Sequence, residues 1–357
     1  MDNTGYSEAL ENYIHAHEKL EMLAVHLMAY GIEKVKNKKI ATSNPAIEKL
    51  YRACQFALQH AGLLSAEPGA SSFAVNVSRV KPLNELAALK QECLALSPSI
   101  DAHIKLLLHC AEHLPAVLIG RCSGLEVLFP GGEATLVSRA YQGNVLQDYL
   151  HNSLAEAVCH SLRDANESKK ILEVGAGTCA ATTAVLQKLS LLEQPPELWI
   201  SDISPSLVNA ARQQYSAVYP FTHYGVLDIE QPHFTQPSQE PLCQEPFDLI
   251  YASNVLHATS DIHMVLKNLV SQFKPGGKLI INELVRFSAF TTMTFGLTPG
   301  WWLFQDAMRI EHSPLLNETG WSHALSDAGF QKIAFYYPAL NDRVYSGQAL
   351  ISCEWLP

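Results

Sequence analysis

The stretch ILEVGAGTCAATTAVL, residues 171–186, decides how the chain is read. Ile171-Leu172-Glu173-Val174 is a short, mostly apolar run of the kind that forms a buried strand. Gly175 and Gly177 then supply a turn, and from Ala180 helix formers take over. Glycines permit a tight turn and close backbone approach, and the helix that follows offers free N–H groups at its start. The alternation repeats downstream. Glu197–Asp202 (ELWISD) reads as a second strand, followed by a helix from about Ser206 to Ala217. Thr222–Asp228, Pro246–Asn254 and Lys278–Glu283 read as the third, fourth and fifth strands. Strands alternating with helices predict an α/β fold built on a doubly wound, mostly parallel sheet. Gln331–Tyr337 and Gln348–Glu354 are placed to add a closing antiparallel pair.

Ligands of such sheets sit beyond the carboxyl ends of the strands. That rule gathers residues 173–179, 202, 228, 254–257 and 283 on one rim, although the sequence spreads them widely. The glycine turn alone is weak evidence. A dinucleotide fingerprint wants GxGxxG, and Ala180 stands at the third glycine, so a Rossmann hydride-transfer enzyme stays open as an alternative. Asp202 ends the second strand, where a carboxylate can accept both ribose hydroxyls of an adenosine. Asp228 ends the third and can receive the adenine amino group. Helix capping is the competing role for both acids.

Upstream, apolar residues recur at helical spacing over Tyr13–Ala29, Ala46–Leu64, Leu83–Ala95 and Asp101–Ile119. Glu67–Ser72 and Leu96–Ser99 read as loops, and residues 71–82 fit either a strand pair or a cover for the helices. Phe129-Pro-Gly-Gly is a break, and Tyr141–Leu162 reads as one helix. The expected division is a mainly helical subdomain over 1–140 and a sheet domain over 141–357. Of 357 residues, 48% are hydrophobic and 17% charged, which suits a packed core and not a disordered chain. Acids outnumber Lys plus Arg by 35 to 25, so no general electrostatic attraction to nucleic acid or to an anionic membrane is expected. A membrane span and a secretory signal are not expected either. Eight cysteines stand singly, without CxxC or zinc-ligand spacing. Reduced thiols, a cytoplasmic location and no metal are the economical expectation.

Tyr251-Ala-Ser-Asn254-Val-Leu-His257 runs off the fourth strand and puts an imidazole on the rim, while Glu283 ends the neighbouring strand. A carboxylate beside a histidine fixes its tautomer and raises its basicity, as a general base requires.

The chain resembles the S-adenosylmethionine-dependent methyltransferase domains of polyketide synthases, particularly their C-methyltransferases. The resemblance rests on LEVGAGT (172–178), WISDISPSLVNAA (199–211), FDLIYASNVLHATSDIHMVLKNL (247–269), KPGGKLIINE (274–283), GWWLFQDAMRIEHSPLL (300–316) and WSHALSDAGF (321–330). LEVLFPGG (125–132) and NSLAEAV (152–158) add to it, and the first 120 residues match loosely, as a lid subdomain would. Cys179 departs from the family, which usually has glycine there.

The resemblance implies a class I, Rossmann-like methyltransferase core with an N-terminal helical lid. It implies S-adenosylmethionine as cofactor, held by Glu173, Gly175, Gly177, Asp202, Asp228 and Asn254. It also carries the roles of base and partner onto His257 and Glu283. The reaction implied is methylation of the α-carbon of a β-ketoacyl thioester, whose α-proton is acidified by two carbonyls. O-methylation of a β-hydroxyl or enol on a similar carrier-bound chain is the nearest alternative, and an inactive methyltransferase-like docking domain a further one. Tyr251, Trp301, Trp302 and Phe304 are candidates for a dry substrate channel or for ordinary core packing. The implied partners are an acyl carrier protein with its phosphopantetheine arm and neighbouring megasynthase domains. Arg309 or the run Lys34, Lys36, Lys38 and Lys39 is the candidate docking patch. An excised, monomeric megasynthase domain is expected.

Overall fold

The computed structural model describes residues 3–66, 73–133, 135–141, 143–162, 169–232, 243, 245–340, 343–345 and 347–356. The expected loop at Glu67–Ser72 lies outside them. The chain divides into two compact units that are discontinuous in sequence. One comprises residues 1–147 with 287–303 and 310–314, and the other 148–286 with 304–309 and 315–357. Sequence reasoning drew a single boundary after residue 140. It could not see that two short downstream stretches return to the N-terminal unit.

The first unit is mainly helical: α1 (Asn3–Glu33), α2 (Pro45–His60), α3 (Leu83–Leu96), α4 (Asp101–Leu118), α5 (Gly124–Leu128) and α6 (Thr135–Tyr141). Its core draws on positions at helical spacing, Tyr13, Ala16, Leu20, Leu23, Ala24 and Met28 of α1 and Ile104, Leu107, Cys110 and Leu114 of α4. The chain enters α2 through Asn44, whose side chain accepts from Ala46 N, with Pro45 in the first turn. That helix ends at His60, earlier than its apolar pattern predicts, because Gly62 turns the chain with φ 68°. Residues 64–66 then leave as β1 (Leu64–Ala66), antiparallel to β2 (Phe73–Val75), so of the piece 71–82 only 73–75 is a strand, its partner lies upstream of the piece, and Val77–Arg79 forms a helical turn. Tyr141–Leu162 is not one helix. Gly143 is left-handed, and Asn144 caps a new helix, α7 (Val145–His160), by accepting from Gln147 N at 2.8 Å.

The second unit is a three-layer α/β sandwich. Its strands and helices are β3 (Lys170–Val174), α8 (Ala180–Leu189), β4 (Glu197–Asp202), α9 (Pro205–Tyr215), β5 (Thr222–Val226), β6 (Phe247–Ser253), α10 (Ile262–Val270) and β7 (Phe273–Leu284). After α11 (Ala289–Met293), which belongs to the helical unit, come α12 (Glu318–Asp327), β8 (Phe330–Tyr336), the short pair β9 (Ala339–Leu340) and β10 (Arg343–Val344), and β11 (Gln348–Trp355). Seven strands form one sheet in the order β5-β4-β3-β6-β7-β11-β8, parallel from β5 to β7 and antiparallel at β11 and β8. This is the doubly wound sheet that the repeated strand–helix alternation predicts. The central strands β3, β4 and β6 are buried on both faces, which is why they read as nearly continuous apolar runs. Leu172, Ile250, Ala252, Leu279, Ile281 and Ile351 pack toward α10 and α12. Ile171, Ile200, Leu249, Tyr251 and Ile280 pack toward α7, α8 and α9. β7 begins five residues before the predicted strand. Its Pro275-Gly276-Gly277 resembles a turn in sequence, and the β6–β7 register shifts there.

The order reverses at β3. The chain runs outward from β3 through β4 to β5, then returns to pair β6 with the other side of β3. The carboxyl ends of β3, β4, β6 and β7 therefore meet at a topological switch point, where such sheets bind ligands.

Candidate active site

Beyond β3 three of five residues are left-handed: Gly175 at φ 68°, Gly177 at φ 55° and Cys179 at φ 64°. A Cβ on Gly175 would lie 2.6 Å from Val255 Cγ2, so the loop can rest on the turn after β6 only because no side chain is present. Cys179 occupies a conformation that glycine adopts without penalty. Burial, followed by the nearby Glu173 charge, pushes its thiol up to about 11.

Asp202, at the end of β4, organises the loop. One carboxylate oxygen accepts from Gly177 N at 2.9 Å, and the other from Ser204 N at 2.9 Å. Each oxygen keeps a second lone pair for further donors. Glu173 is buried, and Thr182 Oγ1 donates to its Oε1 at 2.9 Å. Burial raises its carboxyl to about 7, against the opposing pull of the Thr182 hydroxyl. Asp228 lies two residues past β5 and is half-buried. It accepts from Glu230 N at 3.0 Å and from Gln231 Nε2 at 3.3 Å, which caps the following turn.

The rim continues after β6. Asn254 is left-handed at φ 55°, and its N–H reaches Asn282 O at 2.7 Å, which carries the β6–β7 pairing one residue beyond Ser253. Its amide oxygen is buried without a hydrogen-bond partner. The next turn, Leu256–Ala258, presents His257. Its Nδ1 lies 2.6 Å from Glu283 Oε2, while Glu283 Oε1 accepts from Val255 N at 3.0 Å and Leu256 N at 2.8 Å. One buried carboxylate thus fixes both the ring and the backbone that bears it. With Nδ1–H donating to the carboxylate, the neutral ring presents Nε2 as its acceptor.

Sequence reasoning left the four aromatics open between one dry channel wall and ordinary core packing. No one unit holds all four: Tyr251 and Phe304 belong to the sheet unit, Trp301 and Trp302 to the helical unit. Tyr251 is fully buried among residues of the sheet core, and burial beside Glu173 raises its hydroxyl well above the usual range. Trp302 donates its indole N–H to Gly296 O at 2.7 Å. The lysines at 34, 36, 38 and 39 are exposed on the turn after α1. Arg309 is not a docking residue, because its guanidinium is buried against Asp306. The Asp-x-x-Arg spacing was visible in the sequence, but nothing there marked the pair as interior.

The glycine cradle, the strand-end carboxylate of Asp202 and the orphaned Asn254 oxygen fit a nucleoside joined to a charged amino-acid group. Among the described residues, no cluster of His, Cys, Asp or Glu is arranged to hold a metal, and no helix is long and apolar enough to cross a membrane.

Known proteins share this fold. Residues 172–279 match the methyltransferase domain family. The chain is 34% identical over 235 residues to the polyketide synthase ThaG of Burkholderia thailandensis, covering 65% of this chain and 4% of that protein. Across the first-ranked polyketide synthases it spans 4% to 12% of their lengths. The crystal structure of the DszA carbon methyltransferase superposes with a TM-score of 0.84 at 28% identity, over 98% of this chain and 93% of that one. The trans-methyltransferase CalH, solved in complex with S-adenosylhomocysteine, has the same fold, with a TM-score of 0.68 at 22% identity over 98% and 92% of the two chains.

Proposed function

The chain belongs to the S-adenosylmethionine-dependent methyltransferases related to those of polyketide synthases, and from that premise we propose that it methylates carbon, at the α-position of a β-ketoacyl thioester carried on a phosphopantetheine arm. The observation that carries this reading is the buried His257–Glu283 pair at 2.6 Å on the strand rim. When bound, S-adenosylmethionine supplies an electrophilic methyl group. Glu173, Gly175, Gly177, Asp202, Asp228 and Asn254 hold it in this reading, with Asp202 accepting from the ribose hydroxyls.

His257 Nε2 takes the α-proton, and the imidazolium that forms is stabilised by Glu283, whose second oxygen keeps the turn in place. The two substrate carbonyls delocalise the charge left on carbon, so a histidine is a strong enough base. A hydroxyl would demand far more of it. An acyl carrier protein delivers the substrate within a megasynthase.

The test offers S-adenosylmethionine together with a β-keto and a β-hydroxy pantetheine thioester, and locates any added methyl group by fragment mass. The expected product carries the methyl on the α-carbon of the β-keto substrate. A methyl on oxygen of the β-hydroxy substrate would overturn the choice of reaction.

A further inference from the structure

Arg309 and Asp306 sit in a six-residue stretch, 304–309, that belongs to the sheet unit although the residues on both sides of it, up to 303 and from 310, belong to the helical one. Their side chains are 2% and 6% exposed. The guanidinium grips Asp306 with Nε at 2.9 Å from both carboxylate oxygens and Nη2 at 2.7 Å from Oδ2. The guanidinium also reaches backbone. Nη1 donates to His257 O at 3.0 Å and Nη2 to Thr259 O at 3.1 Å. Asp306 in turn accepts from Ile262 N at 3.1 Å, the first residue of α10, and from Met308 N at 3.3 Å. Two more contacts tie the same turn: Gln305 N donates to Ser260 O at 2.8 Å, and Ser260 N to Glu230 Oε1 at 3.1 Å.

From this geometry we propose that the Arg309–Asp306 pair is a positioning device for the base, holding carbonyls of the His257 turn whose N–H groups Glu283 holds. The proposal rests on the reading of His257 as base. Glu283 holds the N–H groups of Val255 and Leu256 and the ring of His257, whereas Arg309 holds the carbonyls of His257 and Thr259. The turn that bears His257 is therefore pinned by donors and acceptors from two separate elements. A buried ion pair is a poor way to gain stability, since desolvation cancels much of its attraction. A planar fork that meets one carboxylate and two carbonyls is, however, a precise spacer, and lysine cannot reproduce it. Proton transfer from carbon tolerates little error in that spacing, because a base displaced by about 1 Å can lose about a hundredfold in rate.

The test compares wild type, His257→Ala, Arg309→Gln, Arg309→Lys and Asp306→Asn in methyl transfer to a β-ketoacyl pantetheine thioester. Calorimetry measures S-adenosylmethionine affinity and thermal melting measures folding. Arg309→Gln and Asp306→Asn are expected to lower kcat by at least about tenfold. The KM for the thioester and the affinity for S-adenosylmethionine should stay within about twofold, because the pair touches the base and not the binding surfaces. Arg309→Lys should recover part of the lost kcat. If Arg309→Gln melts too early to assay, Asp306→Asn and Arg309→Lys decide the matter with the same kcat and KM readout. Wild-type kcat in the folded Arg309 and Asp306 variants, with His257→Ala impaired, overturns the positioning role alone. Wild-type kcat in His257→Ala removes the reading beneath it and overturns both.

Discussion

Glu173 is a carboxyl group kept inside the protein at the foot of the glycine loop, and burial raises it from 4.5 to about 7. A folded value above the unfolded one means that the native state holds the proton more tightly. Its ionisation penalty is absent below about pH 4.5, grows as pH rises through about 7, and is complete above that. Glu173→Gln keeps an acceptor for the Thr182 hydroxyl and removes the charge. It should stabilise the chain near pH 8 by up to about 3 kcal/mol and by nearly nothing near pH 4. Thermal melting at the two pH values checks this, and a gain that does not depend on pH would contradict it. At this scale the sequence was informative where strand ends concentrate chemistry. Asp202, His257 and Glu283 could be named because each follows or ends an apolar run, and Glu173 because it interrupts one just before the glycine turn. Arg309 was misread as surface, since a charged residue in an irregular segment carries no local sign of burial, and its partner and both carbonyl acceptors come from tertiary structure.

His103 of α4 shows how an element can carry a pH limit. It is packed against Tyr13 and His17 of α1 and Phe290 of α11, with ring centroids 6.2, 6.5 and 5.3 Å away, and its Nδ1 is buried without a hydrogen-bond partner. Burial, reinforced by His17, lowers it to about 3. The unfolded chain therefore takes a proton near pH 6.5 that the native ring refuses, and the helical unit loses stability as pH falls from about 6.5 toward 3. His103→Phe should leave stability at pH 7 unchanged or higher and flatten this acid limb, by at most about 4 kcal/mol. Melting temperatures measured from pH 7 down to 4 test it, and an acid limb as steep as wild type would count against it. The elements that were legible are those with an uninterrupted period: α1, α4, β3, β4 and the closing pair β8 and β11. Those missed or misplaced depend on single residues that turn the chain, Gly62 at the end of α2, Gly143 and Asn144 before α7, and Pro275-Gly276-Gly277 inside β7.

For the whole molecule, the order of elements was readable because each parallel strand must be followed by a crossover, and the chain spells out those crossovers as helices. The division into units is discontinuous in sequence, whereas sequence reasoning drew a single boundary. Residues 287–303 and 310–314 join the helical unit through contacts such as Glu21 with Ser288 Oγ and the N–H groups of Ala289 and Phe290, pairings across more than 260 positions that no local pattern announces. Around this architecture the central claim is that the His257–Glu283 pair removes a proton from carbon. Exchange isolates that step from methyl transfer. The protein is incubated in heavy water with S-adenosylhomocysteine and a β-ketoacyl pantetheine thioester bearing one α-methyl group, and deuterium at the α-carbon is followed by mass. The account predicts wash-in above the uncatalysed background for wild type and a fall to that background for His257→Ala, in parallel with loss of methyl transfer to the unmethylated thioester. Wash-in at the wild-type rate in His257→Ala would contradict it.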